Sequence, residues 1–234
     1  MGDISSKIQK FIEIFIDNRG YVKVVEGLKN TVIIAITGLI IGILIGTIIA
    51  TVRVIPKYKR LPRVLDAICS VYVGCFRGTP MVVQLLLFYY VLLPIVGGHM
   101  SGVQVSMLVF GLNSGAYISE IMRSGILSVD PGQMEAARSL GLPYSRAMIR
   151  VVLPQAIRTM IPSIINQFII TLKDTSILSV IGFPELVNTA KNVVANSFMS
   201  FQTWGIVAVM YLIVITILSK VAKIVERRLN RGRK

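Results

Sequence analysis

Chemically versatile side chains are scarce in this chain. Its 234 residues include one histidine, two cysteines and eleven acidic groups, and only 15% of residues are charged. A soluble domain averages about 25% charged residues. His99 has no companion from which to build a zinc site or a Ser/His/Asp triad. Glu120, Glu135 and Asp174 remain for acid–base work, and none has a second carboxylate at helical spacing. The phosphate-binding pattern GxxxxGK[ST] is absent, so the chain does not hold ATP in that mode. No catalytic residue, metal ligand or cofactor is therefore assigned to it. Cys69 and Cys75 are six positions apart on a predicted helix, about 9 Å along its axis, too far for a disulfide. They read as buried, inert thiols. The first twenty residues are too polar for a cleavable signal sequence.

What is present is hydrocarbon. The chain is 54% hydrophobic, and several apolar runs approach or exceed the length that spans a bilayer, about 20 residues. The expected fold is all-α: a polytopic membrane protein with about five transmembrane helices. The net charge of +14 sits beside those runs. Arg53, Lys57, Lys59, Arg60 and Arg63 follow the first run, Arg138, Arg146, Arg150 and Arg158 lie in an interior loop, and Lys220 to Lys234 close the chain. This is the distribution of a positive-inside topology with affinity for anionic lipid, not of a nucleic-acid binder. It sets the N-terminus outside and the C-terminus inside.

Residues 1–28 read as an amphipathic helix, either in the interface or packed against a partner subunit, with Ile4, Ile8, Phe11, Ile12 and Phe15 opposite Lys7, Lys10, Glu13 and Asp17. Residues 29–225 form the five-span domain and 226–234 a basic tail. The first span, about Thr31 to Val52, carries Gly38, Gly42 and Gly46 on one face, which permits close helix packing. The second is interrupted at Arg77-Gly78-Thr79-Pro80. Arg77 there is either functional or held by Asp66 or Glu120. Gly97-Gly98-His99 reads as a short outer turn. The third span, Val103 to Met122, aligns Asn113, Tyr117 and Glu120, and Glu120 has Arg123 as an i,i+3 partner. The fourth, Met160 to Gly182, is unusually polar. Asn166, Gln167, Thr171, Asp174 and Thr175 lie close to one helical face. Such a face requires either a water-filled pathway or an internal ion-pair network. An amino acid zwitterion would meet an acid in Asp174 and donors and acceptors in Thr175, Thr171 and Gln167. A helix from Leu186 to Ala195, with Pro184 in its first turn, precedes the fifth span, Trp204 to Val225.

The loop from 125 to 158 cannot cross a membrane and is the most patterned part of the chain. Asp130, Pro131 and Gln133 form a capping-box signature. Ala136 and Ala137 make a small face, Gly141 stops the helix, Pro143 restarts a second short helix, and Pro154 ends or kinks it. The expected product is a cytoplasmic helix-turn-helix whose charged anchor is Glu135.

The series Glu135-Ala136-Ala137, Gly141, Val151, Leu153-Pro154 resembles the EAA motif of importer permeases of the ABC transporter class. Val151 stands where that family usually has Ile. Phe76-Arg77-Gly78-Thr79-Pro80 and Lys173-Asp174-Thr175-Ser176 resemble two further motifs of its polar amino acid permeases. The resemblance covers about residues 25 to 230. It implies a bacterial cytoplasmic membrane protein with a second permease copy or close paralogue. ATPase subunits, which bind ATP and Mg, would dock at Glu135, Ala136, Ala137, Gly141, Leu153 and Pro154. An external solute-binding protein would deliver a polar L-amino acid. Arg77, Thr79, Asn113, Tyr117, Gln167, Thr171, Asp174 and Thr175 are the candidate pathway residues. The competing expectation is a stand-alone secondary transporter or channel for small polar solutes. It fits the charges within spans but not the absence of a detectable repeat.

Overall fold

A computed structural model describes residues 20–96 and 100–230, with Gln9, Ile12, Glu13 and Ile16 before them. Most of the amphipathic segment expected over 1–28, the turn at His99 and the last residues of the tail lie outside the described residues. Helix α1, Gly20–Val54, starts within that expected segment. At 1.5 Å per residue it is about 50 Å long, so its first turns, with Lys23, Glu26 and Lys29, extend beyond the hydrocarbon. It ends before Pro56, because the residue preceding proline is driven out of the helical region.

The later elements are α2 (Arg60–Gly78), α3 (Met81–Ile95), α4 (Gly102–Leu127), α5 (Pro131–Ser139), α6 (Tyr144–Ile181), α7 (Leu186–Ser197) and α8 (Ser200–Asn230). Four of them, α1, α4, α6 and α8, are long and apolar enough to cross a membrane. The α2–α3 pair, bent by 108°, makes a fifth if it is counted as one broken span. The bend falls at Thr79–Pro80, as the sequence suggests, with Thr79 in extended backbone. α4 opens with a reciprocal capping box between Ser101 and Gln104.

The central feature is the pairing of α1 with α4. Helices in lipid gain little from burying apolar surface against one another, so close contact depends on small residues. Here the small residues lie on both helices. A Cβ on Gly42 would stand 2.6 Å from Ser114 Cβ, and one on Gly46 2.8 Å from Ile118 Cγ2. In return, Gly115 receives Ile45, whose Cγ2 is 2.8 Å from where a Cβ would be, and Gly111 receives Ile41. The core grows from this seam. On one side Ile34, Val109 and Phe110 meet Leu85 of α3 and Leu178 of α6. On the other Ile49 and Ala116 meet Val73 of α2.

Two departures from the sequence reading concern prolines. Pro154 does not end a short helix: α6 runs through it to Ile181. A π-helical turn over Met148–Val152, with Leu153 N–H donating to Met148 carbonyl, comes just before Pro154. α3 has the same arrangement, a π turn over Leu87–Leu92 just before Pro94. The widened turn relieves the clash between a proline ring and the preceding turn. Pro184 is not in the first turn of α7; Glu185 caps that helix, accepting from Val187 N–H at 2.8 Å and Asn188 N–H at 2.7 Å. Cys75 is exposed, so the reading of two buried thiols fails there.

α7 is fastened to the start of α1. Asn30 Nδ2 donates to Pro184 carbonyl at 2.8 Å, Leu186 N–H donates to Thr31 Oγ1 at 3.2 Å, and Gly27 admits Thr189. Glu185 is fully buried in this junction. Burial pushes its carboxyl up to about 7, against the opposing pull of the two N–H donors and Lys191.

Two measurements follow from this packing. Gly42→Val forces α1 from α4 and should cost about 1–3 kcal/mol, read as a lower melting midpoint of the detergent-solubilised protein. Gly74→Ala, with open space around its Cβ, should be neutral or stabilising by up to about 1 kcal/mol; equal losses in both would discount the seam. For Glu185 the folded chain binds the proton more tightly than the unfolded chain. The stability linked to it is complete below the ordinary value of 4.5 and is lost as pH rises through about 7. The melting midpoint should therefore fall between pH 5.5 and 8 by the equivalent of at most about 2 kcal/mol. Glu185→Gln should flatten that slope, and an unchanged slope would assign it to other groups.

Candidate functional site

Two groups of residues are candidates for functional chemistry, one on the loop between α4 and α6 and one within the bundle. On the loop, Asp130 caps α5, its Oδ1 accepting from Gly132 N–H at 2.9 Å. The reciprocal half of the expected capping box does not form. Gln133 instead accepts from Gln155 Nε2 at 3.3 Å, which ties α5 to α6. The helix stop is as read: Gly141 has φ +84°. Gly141 N–H donates to Arg138 carbonyl and Leu142 N–H to Ala137 carbonyl, the paired bonds of a Schellman motif. These bonds rigidify a nine-residue helix that would be marginal alone.

Its two faces differ. Ala137 is buried, and α5 packs on the π turn of α6. Glu135, Ala136 and Gly141 are exposed, and Leu140 projects with 85% of its surface free. The small outer face is thus Ala136 with Glu135, while Ala137 serves the intramolecular contact. Leu153 is half-buried beneath the loop and Pro154 is exposed. The second helix expected after Pro143 is the beginning of α6, not a separate element. The loop proper is accordingly shorter than 125–158.

Within the bundle, the α2–α3 break is stapled by Gln84. Its Nε2 donates to the carbonyls of Phe76 and Thr79 at 2.8 and 3.0 Å and contacts Thr79 Oγ1 at 2.9 Å, and its Oε1 accepts from Asn113 Nδ2 at 2.9 Å. The carbonyls exposed by the break find partners in this way, as backbone at membrane depth requires. Sequence reading missed Gln84. The available signal was a lone amide four residues after a proline break in an apolar run.

Beside it stands a charge network. Glu120 pairs with Arg53, with Arg123 at 3.1 Å and with Arg77 at 3.8 Å. Arg53 lies 4.0 Å from Asp66, which also pairs with Lys57 at 2.6 Å. Arg77 stacks over Tyr117, 5.3 Å from the ring centroid. Four cations surround two carboxylates, and Arg77 is the most exposed member, so the network offers surplus positive charge at the break. Of the two readings of Arg77, a bond to Glu120 is present, and it leaves the guanidinium 44% exposed.

The structure thus brings Arg77, Thr79, Asn113 and Tyr117 together. Gln167, Thr171 and Thr175 form a separate buried row on α6. Thr171 Oγ1 lies 3.4 Å from Ser114 Oγ and 3.5 Å from Gln167 Nε2, and Thr175 Oγ1 donates to Leu172 carbonyl at 2.7 Å. Within this chain the row pins α6 to the α1–α4 seam. Asp174 is half-buried at the point where α6 tightens into a 3₁₀ turn, and Lys173 is exposed. Asn166 is also exposed, so it does not share the face of Gln167; neighbouring residues are about 100° apart on a helix. No group of three or more His, Cys, Asp and Glu able to hold a metal occurs among the described residues.

Residues 38–232 match the family described as the binding-protein-dependent transport system inner membrane component. The chain is 36% identical over 167 residues to a putative glutamine transport system permease protein of Rickettsia felis, covering 71% of this chain and 77% of that one. It is 36% identical over 163 residues to the arginine transport system permease protein of Bacillus subtilis, covering 70% and 74%. It is 38% identical over 208 residues to a probable amino-acid ABC transporter permease of Vibrio harveyi, covering 88% and 91%. A crystal structure of an amino acid ABC transporter with histidines superposes with a TM-score of 0.83 at 35% identity, over 92% of this chain and 98% of that one. An inward-facing methionine ABC transporter shares the fold, with a TM-score of 0.72 at 16% identity over 88% and 95%. The chain belongs to the family of inner membrane components of binding-protein-dependent transport systems.

Proposed function

We propose that this chain is the permease subunit of an ATP-driven importer for a polar L-amino acid, worked through α5 by a separate ATPase. The observation that carries this reading is the outer face of α5. Glu135, Ala136 and Leu140 stand free on a helix capped at Asp130 and closed at Gly141, and the underside of that helix is bolted to α6. A rigid, exposed helix transmits a push, and a disordered loop does not. The family supports the ATPase and an external binding protein as partners, in place of a stand-alone secondary transporter. The relatives named for glutamine, arginine and amino acids support the cargo class.

The basic clusters favour α5 and the C-terminus on the cytoplasmic side and the N-terminus outside. In that orientation the 182–197 segment faces the binding protein. A second permease copy or close paralogue would complete the pathway and cover part of α8, which is little buried in this chain. ATP and Mg would be held by the ATPase alone. The cargo carboxylate would meet the surplus positive charge at Arg77, with Asn113, Tyr117 and Thr79 beside it. Asp174 would meet the ammonium group. With one acid available, an uncharged or zwitterionic amino acid suits the lining better than a dication.

Uptake of a labelled amino acid panel into vesicles carrying the reconstituted complex tests the cargo. The reading requires ATP-dependent uptake that no ion gradient replaces. Glu135→Arg and Gly141→Leu should each abolish ATPase association or coupled uptake while insertion stays normal. Gly141→Leu acts through its left-handed backbone, which a branched side chain adopts at roughly 1–2 kcal/mol. Normal transport with native ATPase binding in both variants would dismiss the coupling role. Asp174→Asn should lower apparent affinity, and unchanged affinity and flux would remove Asp174 from the site.

A further inference from the structure

We infer that the groove between the end of α1, the end of α4 and the first turns of α6 holds an acyl chain of an anionic phospholipid, with arginines of α6 at its headgroup. The groove has a volume of about 310 Å³ and an almost wholly apolar wall, including Val54, Ile55, Ile126, Met148, Ile149 and Leu153. This is near the lower limit for ligand cavities. Val54 and Leu127 close the apolar stretches of α1 and α4. The groove therefore sits at one edge of the hydrocarbon, where chain gives way to headgroup. The π turn of α6 forms one wall and leaves Ile149 63% exposed.

The rim carries one sign of charge. Arg146 and Arg150 flank the α6 wall on exposed positions, and Lys59 and Arg60 are exposed just beyond the end of α1. Tyr58, between Lys57 and Lys59, comes within electrostatic reach of Tyr144 at the groove. No acidic residue occurs between Glu26 and Asp66 or between Glu135 and Asp174. Among the described residues, Lys59, Arg60, Arg146 and Arg150 form no ion pair. An anionic headgroup would supply their missing partner, as basic pockets between transmembrane helices do elsewhere.

A polypeptide suits the wall less well. Tyr144 Oη is already engaged with Val54 carbonyl at 3.3 Å, so little remains to satisfy the backbone of a peptide buried there. The leaflet assigned to this lipid, the cytoplasmic one, rests on the orientation proposed above; the site itself does not.

The test uses the full-length chain in detergent, without ATPase or cargo, so its failure is separate from failure of the transport reading. Native mass spectrometry during titration with phosphatidylglycerol or phosphatidylcholine of identical chains reads lipid affinity. Phosphatidylglycerol should bind more tightly, with about fivefold lost for each arginine removed, so that Arg146→Gln with Arg150→Gln lowers the preference by roughly 25-fold. Ser145→Phe, which fills the groove, should weaken both lipids, whereas Arg227→Gln with Arg228→Gln should change neither. Three results would overturn the proposal: no headgroup preference in the wild type, the same preference in the Arg146/Arg150 variant, or competition by glycerol phosphate as strong as by the lipid.

Discussion

The close approach of α1 and α4 is the constraint on which the rest of the bundle depends. In lipid, exchanging an acyl chain for another apolar side chain gains little. The stabilisation must come from dispersion at short range and from polar contacts that short range allows. Glycines on both helices give that range, and each admits a side chain from the other. Ser114 enters beside Gly42 and is thereby set 3.4 Å from Thr171 of α6. Asn113, the preceding residue, reaches Gln84 and the α2–α3 break. One seam thus orients both groups of polar residues assigned to the pathway.

A second constraint is that no backbone group at membrane depth can stay unpaired without cost. Several irregularities in the bundle have a local remedy. Gln84 serves the carbonyls at the break, the two π turns accommodate Pro94 and Pro154, and the left-handed Gly182 closes α6 before Glu185 opens α7. The charges obey the same rule. Glu120 is surrounded by arginines, since an isolated buried carboxylate would be costly.

Much of this was legible in the residues, and what was not has physical reasons. Glycines at a spacing of four announce a close helix contact, and the fold contains it. Asp130, Gly141 and the exposed Glu135 announce a stopped helix, and it forms. A partner helix, by contrast, leaves no periodic mark: the counter-stripe of Gly111 and Gly115 became meaningful only once α4 was seen against α1. Pro154 reads locally as a breaker, yet α6 continues through it behind a π turn, which has no simple sequence signature. Asn166 and Gln167 are adjacent and alike in chemistry, yet one is exposed and the other buried. Tertiary packing chose between them within 100° of rotation. Glu185 gave no signal as a cap, because Glu lies outside the usual Ser, Thr, Asp and Asn set and its burial is set by tertiary packing.

The ties at the two ends of α6 limit how the subunit can move. At one end Tyr144 bonds to Val54 carbonyl of α1. At the other, immediately past Gly182, the chain bonds back to Asn30 and Thr31 of the same helix. Between these ends, Ser114 and Thr171 link α6 to α4, which is locked to α1. Helices α1, α4 and α6, with α5 and α7 attached, therefore form one frame. A push on α5 cannot shift α6 alone without breaking bonds at both ends of α1. It moves the frame as a unit. The α2–α3 break is tied to the frame by Gln84 and Asn113, so the freedom that remains lies along the little-buried α8. If the chain is worked through α5 as proposed, opening and closing of a pathway would thus come from rotation of the whole frame.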